Sequence, residues 1–254
     1  MNRIKVGIFG FILAISAISC KNDKPRNWDD VVSDSVLHVA IDYNALGAYR
    51  CGDSLCGVQY SMVCDICDDI NLTPSFDFVN DYREGIEGLR IGKYDLLASL
   101  IPSTTEFQSY GLLTDKVCLD KPVLVQRIST KQDAGVFVDT QLKLPGHVIS
   151  LPQGSLFLNR LKNLENEIGD TLNVKVVDKY SSGDLVALVA LGDLDYTVCG
   201  YRLASAMSRS YPQIDYTVPI GFNQVHSWAV SPSDTVLLNK INAWLSSDAE
   251  KYFK

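Results

Sequence analysis

Two stretches of this chain register on one another at a spacing of 100 residues. GIEGLRIGKYDLLAS (85–99) lies over DLVALVALGDLDYTVC (184–199) with Ile86 on Val186, Leu89 on Val189, Gly92 on Gly192 and Asp95 on Asp195. Each is a helix-period run, a glycine turn and a strand-like run, and each closes a longer series in the same order. The first series runs VLHVAID (36–42), a helix with Val58, Met62, Ile66 and Ile70 on one stripe, PSFDFV, a second helix and YDLLASL. The second runs HVISL (147–151), a helix with Phe157, Leu161, Leu164 and Ile168 on one face, NVKVVD, SGDLVALVAL and LDYTVCG. Strands alternating with helices predict α/β layers with largely parallel sheets, and the repeat predicts two of them.

KPVLVQR (121–127) and DYTVPIG (215–221) lie between the two series and suit a pair of crossings. HSWAVSP and a final helix bearing Leu237, Leu238, Ile241, Trp244 and Leu245 then return the chain to the first lobe. The expected fold class is therefore α/β with two lobes joined by two hinge strands around a central cleft. Ligands bind at the carboxyl ends of such strands, and closure about the crossings would be a hinge motion. The expected boundaries are residues 36–122 and 219–254 for lobe 1, and 123–218 for lobe 2.

The first 19 residues stand apart. Arg3 and Lys5 precede VGIFGFILAISAIS, an apolar run too short to cross a bilayer, and Ala17, Ile18 and Ser19 lead to Cys20. This pattern predicts a lipoprotein export signal, cleavage before Cys20 and lipid on its thiol; an ordinary signal peptide and an uncleaved anchor are the alternatives. Residues 20–35 are polar and without period, and are expected to be a flexible tether. The protein is then predicted to sit in the cell envelope, lipid-anchored, on the periplasmic or extracellular face.

The formal charge of −7 becomes −9 once Arg3 and Lys5 leave with the signal. An acidic body without a basic, aromatic-interleaved patch argues against a nucleic-acid partner. Of seven cysteines, six remain beside Cys20. Cys51 and Cys56 bracket the turn-forming GDSL, and a disulfide there is a candidate in an oxidising compartment. With Cys64 and Cys67 they also make C-x4-C-x7-C-x2-C, for which zinc is the weaker alternative. Cys118 and Cys199 lie in apolar strand contexts that suit a core. His38, His147 and His226 are scattered singly, and no P-loop, G-x-S-x-G or H-E-x-x-H occurs. No metal and no cofactor are expected.

Taken in order, VAIDYN, GVQYSM, GLRIGKYDLLAS, PQGS and LGDLDYTVCG make residues 36–254 resemble the family 3 extracellular solute-binding proteins. Their fold is the periplasmic binding protein type II arrangement. Within that likeness, GDLDYTV and SRSYPQIDYTVPIGFNQVHSWAVSP look like the non-catalytic ligand-binding module of the membrane-bound lytic murein transglycosylase F family. In that family a lysozyme-like catalytic domain follows the module, whereas this chain closes at EKYFK. The resemblance therefore implies a non-enzyme.

The resemblance also implies what the cleft has lost. In amino-acid receptors an Arg in the loop after the first KYDLL strand clamps the ligand carboxylate with its planar fork. Here Phe107 falls at that position in SLIPSTTEFQS. The second lobe's acid, which meets the ligand ammonium, falls on Gly200. With both gone a free amino acid is disfavoured, because one buried charge without its partner is costly. Ser103, Thr104 and Thr105, and Gly154 with Ser155, offer weaker anion chemistry at helix starts, or simple capping. Tyr43, Tyr82, Phe107 and Tyr201 would supply aromatic walls if they face the cleft, and core packing is the alternative for each. Asp42 and Glu106 are the acids near it, and a dehydratase-like activity is the weaker enzymatic alternative.

The expectation is a monomeric, membrane-tethered binding protein that captures a small ligand, with a peptide or a cell-wall muropeptide preferred, for an ABC permease or for sensing. A non-catalytic regulatory or docking subunit of an envelope enzyme is the alternative.

Overall fold

A computed structural model describes residues 24–104, 107, 111–128 and 137–253. The export signal, Cys20, Thr105 and Glu106 lie outside the described residues.

From Lys24 onward the segment expected to be a tether is docked on the body instead. Asn27 caps a helix, Trp28–Asp34 (α1), through a capping box with Asp30, and Val31 is fully buried. Arg26 reaches both Asp34 (2.9 Å) and the buried Asp95 (2.9 Å). Seven residues are too few to show a helical period, and the burial of Val31 comes from a partner surface far along the chain.

The first lobe is built on Val36–Ile41 (β1), a hairpin of Tyr49–Cys51 (β2) and Ser54–Cys56 (β3), Val58–Ile70 (α2), Thr73–Phe78 (β4), Tyr82–Arg90 (α3), Leu96–Pro102 (β5), Leu112–Leu113 (β6) and Cys118–Asp120 (β7). β1 pairs in parallel with β4 and β5. Met62 and Ile66 of α2 are fully buried on one face of this sheet, and Leu89 of α3 on the other. Helices on both faces explain why LLASLIP is apolar without alternation. Gly88 is required where α3 meets the sheet, because a Cβ there would run into the Tyr94 ring.

Cys51 and Cys56 form a disulfide across the β2–β3 hairpin, with Cα atoms 5.9 Å apart. That bond removes two of the four thiols a zinc site would have used; Cys64 and Cys67 remain free thiols on α2. A six-residue loop constrains little of the unfolded chain. Replacing both cysteines by serine is expected to cost about 2 kcal/mol, measured by urea unfolding with and without reductant. An equal response of wild type and variant to reductant would refute the bond.

The second lobe follows as Pro122–Arg127 (β8), Val148–Pro152 (β9), Leu158–Ile168 (α4), Asn173–Val177 (β10), Ser182–Leu191 (α5), Tyr196–Gly200 (β11), Tyr201–Ser208 (α6) and Ile214–Asp215 (β12). The chain then re-enters the first sheet as Gln224–Val230 (β13) and ends in Thr235–Asp248 (α7), whose Leu237, Ile241, Trp244 and Leu245 complete the first core. Strand orders are β4-β1-β5-β13-β6, with β7 also on β13, and β10-β9-β11-β8-β12. In each sheet three parallel strands are followed by one antiparallel strand that arrives by a crossing.

The 100-residue repeat holds element by element from α2 onward. Asp81 and Ser181 cap the matching helices, and Gly92 (φ 75°) and Gly192 (φ 92°) end them in the left-handed region. Asp95 and Asp195 each hold an arginine, Arg26 and Arg127. The spacing breaks before α2, where the hairpin is inserted between β1 and α2. The two crossings touch: Leu124 N–H donates to Val218 O (2.9 Å) and Ile220 N–H to Pro122 O (2.8 Å). Among the described residues no helix is long and apolar enough to cross a membrane.

Candidate functional site

The carboxyl ends of β1, β5, β9 and β11 converge on a cavity of about 100 Å³ lined from both lobes. The lobes meet at its edge, where a Cβ on Gly154 would collide with the Asp81 carboxylate and one on Gly183 would stand 3.2 Å from Asn44 Cβ. The two lobes are thus in close contact at these points.

Asp42 follows β1 directly, at a turn in which Asn44 Oδ1 accepts from the backbone N–H groups of Leu46 (2.9 Å) and Gly47 (2.7 Å). Ser99 of β5 donates its hydroxyl to Asp42 Oδ1 at 2.9 Å. Burial pushes the Asp42 carboxyl up to about 7, with the Ser99 bond opposing it. This group therefore changes charge near neutral pH.

Asp120 ends β7 just before the first crossing and is only 5% exposed. Its Oδ1 accepts from Lys121 N–H (2.9 Å) and Arg202 N–H (3.1 Å). Burial raises its carboxyl, against those two bonds and the nearby His226. His226, carried by β13, is itself 5% exposed. Burial lowers its pKa, against the attraction of Asp120. Its Nδ1 lies 3.2 Å from Gln224 O, so in the neutral ring Nδ1 carries the proton and Nε2 is left to accept. Gln59 of α2 is oriented by Trp228, whose Nε1–H donates to Gln59 Oε1 at 2.8 Å. From the second lobe come Ser155 and Phe157 at the start of α4, Ser182 at the start of α5, and Gly200.

Several residues singled out from the sequence do line this cavity: Asp42, Tyr82, Gly154, Ser155 and Gly200. Phe107 does not. Its ring is buried against Tyr82 (5.4 Å between centroids) and walls a neighbouring pocket that also touches Arg83 and Gly154. Tyr43 points away, packed on Phe78 at 5.0 Å and 40% exposed. Tyr201 is 41% exposed and sits against Tyr216 with Lys121 above it. Ser103 is tied to β13 by Ser227 (Oγ to Oγ 2.7 Å), and neither it nor Thr104, whose hydroxyl is buried without a partner among the described residues, lines the cavity.

The cavity wall thus carries apolar and aromatic side chains other than Phe107, among them Leu46, Tyr82, Leu100, Leu156 and Phe157, together with polar groups. Its charged groups are the carboxylates Asp42 and Asp120 with His226 beside them, and none of its described lining residues is Lys or Arg. Sequence reasoning missed Gln59, Ser99, Asp120 and His226. The one signal for Asp120 was an acid between two apolar runs, VCLDKPVLV.

No family model matches the chain. In sequence it is similar to the membrane-bound lytic murein transglycosylases F of Cronobacter sakazakii, 23% identical over 90% of this chain and 44% of the relative. That of Shewanella woodyi is 22% identical over all of this chain and 53% of the relative. The chain thus spans about half the length of the curated relatives it matches. Among solved structures it is similar to holo ArgBP from T. maritima, at a TM-score of 0.71 and 19% identity over 89% of this chain and 99% of that one. It is likewise similar to AbpA, an amino acid ABC transporter substrate-binding protein from Streptococcus pneumoniae bound to L-arginine (TM-score 0.71, 14% identity, 88% and 95% covered). The fold is the two-lobe type II arrangement of periplasmic binding proteins.

Proposed function

We propose that this chain, which has the fold of the two-lobe binding proteins and resembles the transglycosylases F over about half their length, is an extracytoplasmic ligand-binding protein without catalysis of its own. The observation that carries this is the cavity at the strand ends, walled by both lobes and spanned by two touching crossings. Opening about Pro122–Leu124 and Val218–Ile220 would admit a ligand, and closing would cover it. The captured molecule is a small peptide or cell-wall fragment, held on a lipid-anchored body for delivery to an ABC permease or for sensing. A free amino acid is disfavoured, since no arginine or lysine stands on the described cavity wall to take its carboxylate.

The test is thermal unfolding in the presence of amino acids including L-arginine, di- and tripeptides, muropeptides and small sugars. A ligand at 100 times its dissociation constant adds about 2.7 kcal/mol to the folded state, which for a chain of this size raises the midpoint by several degrees. A shift with peptides or muropeptides but none with free amino acids is expected. A shift with free L-arginine would overturn the ligand class.

A second reading is a docking subunit of an envelope enzyme. A groove of about 530 Å³ supports it: it crosses both lobes beside the hairpin and brings Tyr49, Tyr201, Tyr252 and Phe253 together with Arg202 and Arg209. No response to any small molecule, with retention of a peptidoglycan hydrolase on the immobilised chain, would favour that reading.

A further inference from the structure

We propose that Asp120 selects the ligand, and that the ligand it selects carries a positively charged amine. This rests on the cleft being a ligand site and names the group that does the choosing there. Two backbone N–H groups, of Lys121 and Arg202, hold Asp120 Oδ1 and fix the plane of the carboxylate. Oδ2 is turned toward Gly200, and a Cβ at that position would collide with it. Both residues line the cavity. Glycine at 200 thus clears the space into which a nearly buried carboxylate oxygen projects.

Among the described lining residues the only group of opposite sign beside that carboxylate is His226, and burial disfavours its charged form. Asp42 adds a second acid, and His226 is a buried imidazole whose Nδ1 is engaged by the Gln224 carbonyl. Arg202 hydrogen-bonds Asp120 through its backbone; its guanidinium donates instead to the carbonyls of Leu119 (2.8 Å) and Phe253 (3.4 Å) and acts on Asp120 through its charge alone. A carboxylate taken out of water is expensive unless an opposite charge meets it. An ammonium brought by the ligand supplies that charge together with donors for Asp120 Oδ2 and Asp42. Leu46, Leu100 and Leu156 of the same cavity suit a short aliphatic remainder.

The experiment uses 1,5-diaminopentane, alanyl-alanine and N-acetyl-alanyl-alanine, measured by titration calorimetry on the wild type, Asp120→Asn and the exchange variant Asp120→Gly/Gly200→Asp. Asparagine keeps an Oδ1 acceptor for both backbone N–H groups, and unchanged circular dichroism confirms that each variant is folded. An amine-bearing probe is expected to bind the wild type, and to lose about tenfold or more on acetylation and in Asp120→Asn. The exchange variant, which returns an acid to the same gap from the other lobe, is expected to recover most of that loss, which a purely structural role for Asp120 would not produce. Equal binding of the acetylated probe, or amine binding untouched in Asp120→Asn, overturns the assignment while leaving the cleft a ligand site. If peptides and muropeptides bind but neither amine probe does, the amine assignment also falls. Absence of binding by every molecule in the wider scan removes the cleft reading, and this proposal with it.

Discussion

Trp228→Ala is expected to lower the unfolding free energy by about 3–5 kcal/mol, the usual range for deleting a fully buried aromatic, and to drop the midpoint by roughly 10 °C. Trp228 sits in β13, the strand that returns from the second lobe to the first sheet, and has no exposed surface. Its ring belongs to the same core as Ile41, Met62 and Leu237. Removing it opens a cavity where α2, β13 and α7 meet. It also strips Gln59 Oε1 of the indole N–H that orients it, and a buried acceptor left alone costs about 1–3 kcal/mol. Trp228→Phe separates the two effects, because it keeps most of the ring volume and loses only the N–H. Since Gln59 lines the cleft, that variant is expected to weaken ligand binding out of proportion to its loss of stability. Urea unfolding with an unchanged slope reads the first effect; a loss below about 1.5 kcal/mol for the alanine variant would show that the core closes over the gap.

Asp42→Asn is expected to stabilise the protein above neutral pH and to leave it unchanged near pH 4. Burial raises the Asp42 carboxyl from 3.8 to about 7 in the folded chain. Over that interval the folded state keeps a proton that the unfolded chain has released. Its contribution to stability is therefore complete below about pH 4 and lost as pH rises through 7. A shift of this size corresponds to about 4 kcal/mol at most. The residue is partly exposed, so about 2–3 kcal/mol at pH 8 is expected. Asparagine cannot ionise, and its oxygen still accepts the Ser99 hydroxyl. Asp120 is also raised by burial and tilts the wild-type curve the same way, so the difference between variant and wild type isolates Asp42. Midpoints measured from pH 4 to pH 8 read it directly, and a gap that did not vary with pH would refute the shift. The same variant is expected to bind amine-bearing probes more weakly. A carboxylate kept despite its cost to the fold is the pattern of a site that trades stability for recognition.

The repeat was legible because its signals are local: a helical stripe such as Val58, Met62, Ile66 and Ile70, a left-handed glycine after each matching helix, and apolar strand runs. The likeness to binding proteins rested on the same segments. The candidate site was half legible. Asp42, Gly154, Ser155 and Gly200 sit where a strand ends or a helix begins, the places a strand-and-helix pattern can point to. Tyr43 and Tyr201 stand equally close to such ends, yet face outward onto Phe78 and Tyr216. One residue of displacement reverses the side presented along an extended chain and turns it by about 100° along a helix, and spacing alone could not choose it.

The sequence by itself determined the order of elements, the two similar lobes and the paired crossings, because periodicity and turn chemistry act over a few residues at a time. Tertiary structure alone decided three things. It docked Arg26 on the body through Asp95, and Val31 in the first core. It tied Gln59 to Trp228, 169 positions away. And it laid Gly200 of one lobe against the Asp120 carboxylate of the other. Each depends on which surfaces are brought together when two sheets share two crossings. The charge and shape of such a meeting are properties of both partners, and a local pattern carries only one of them.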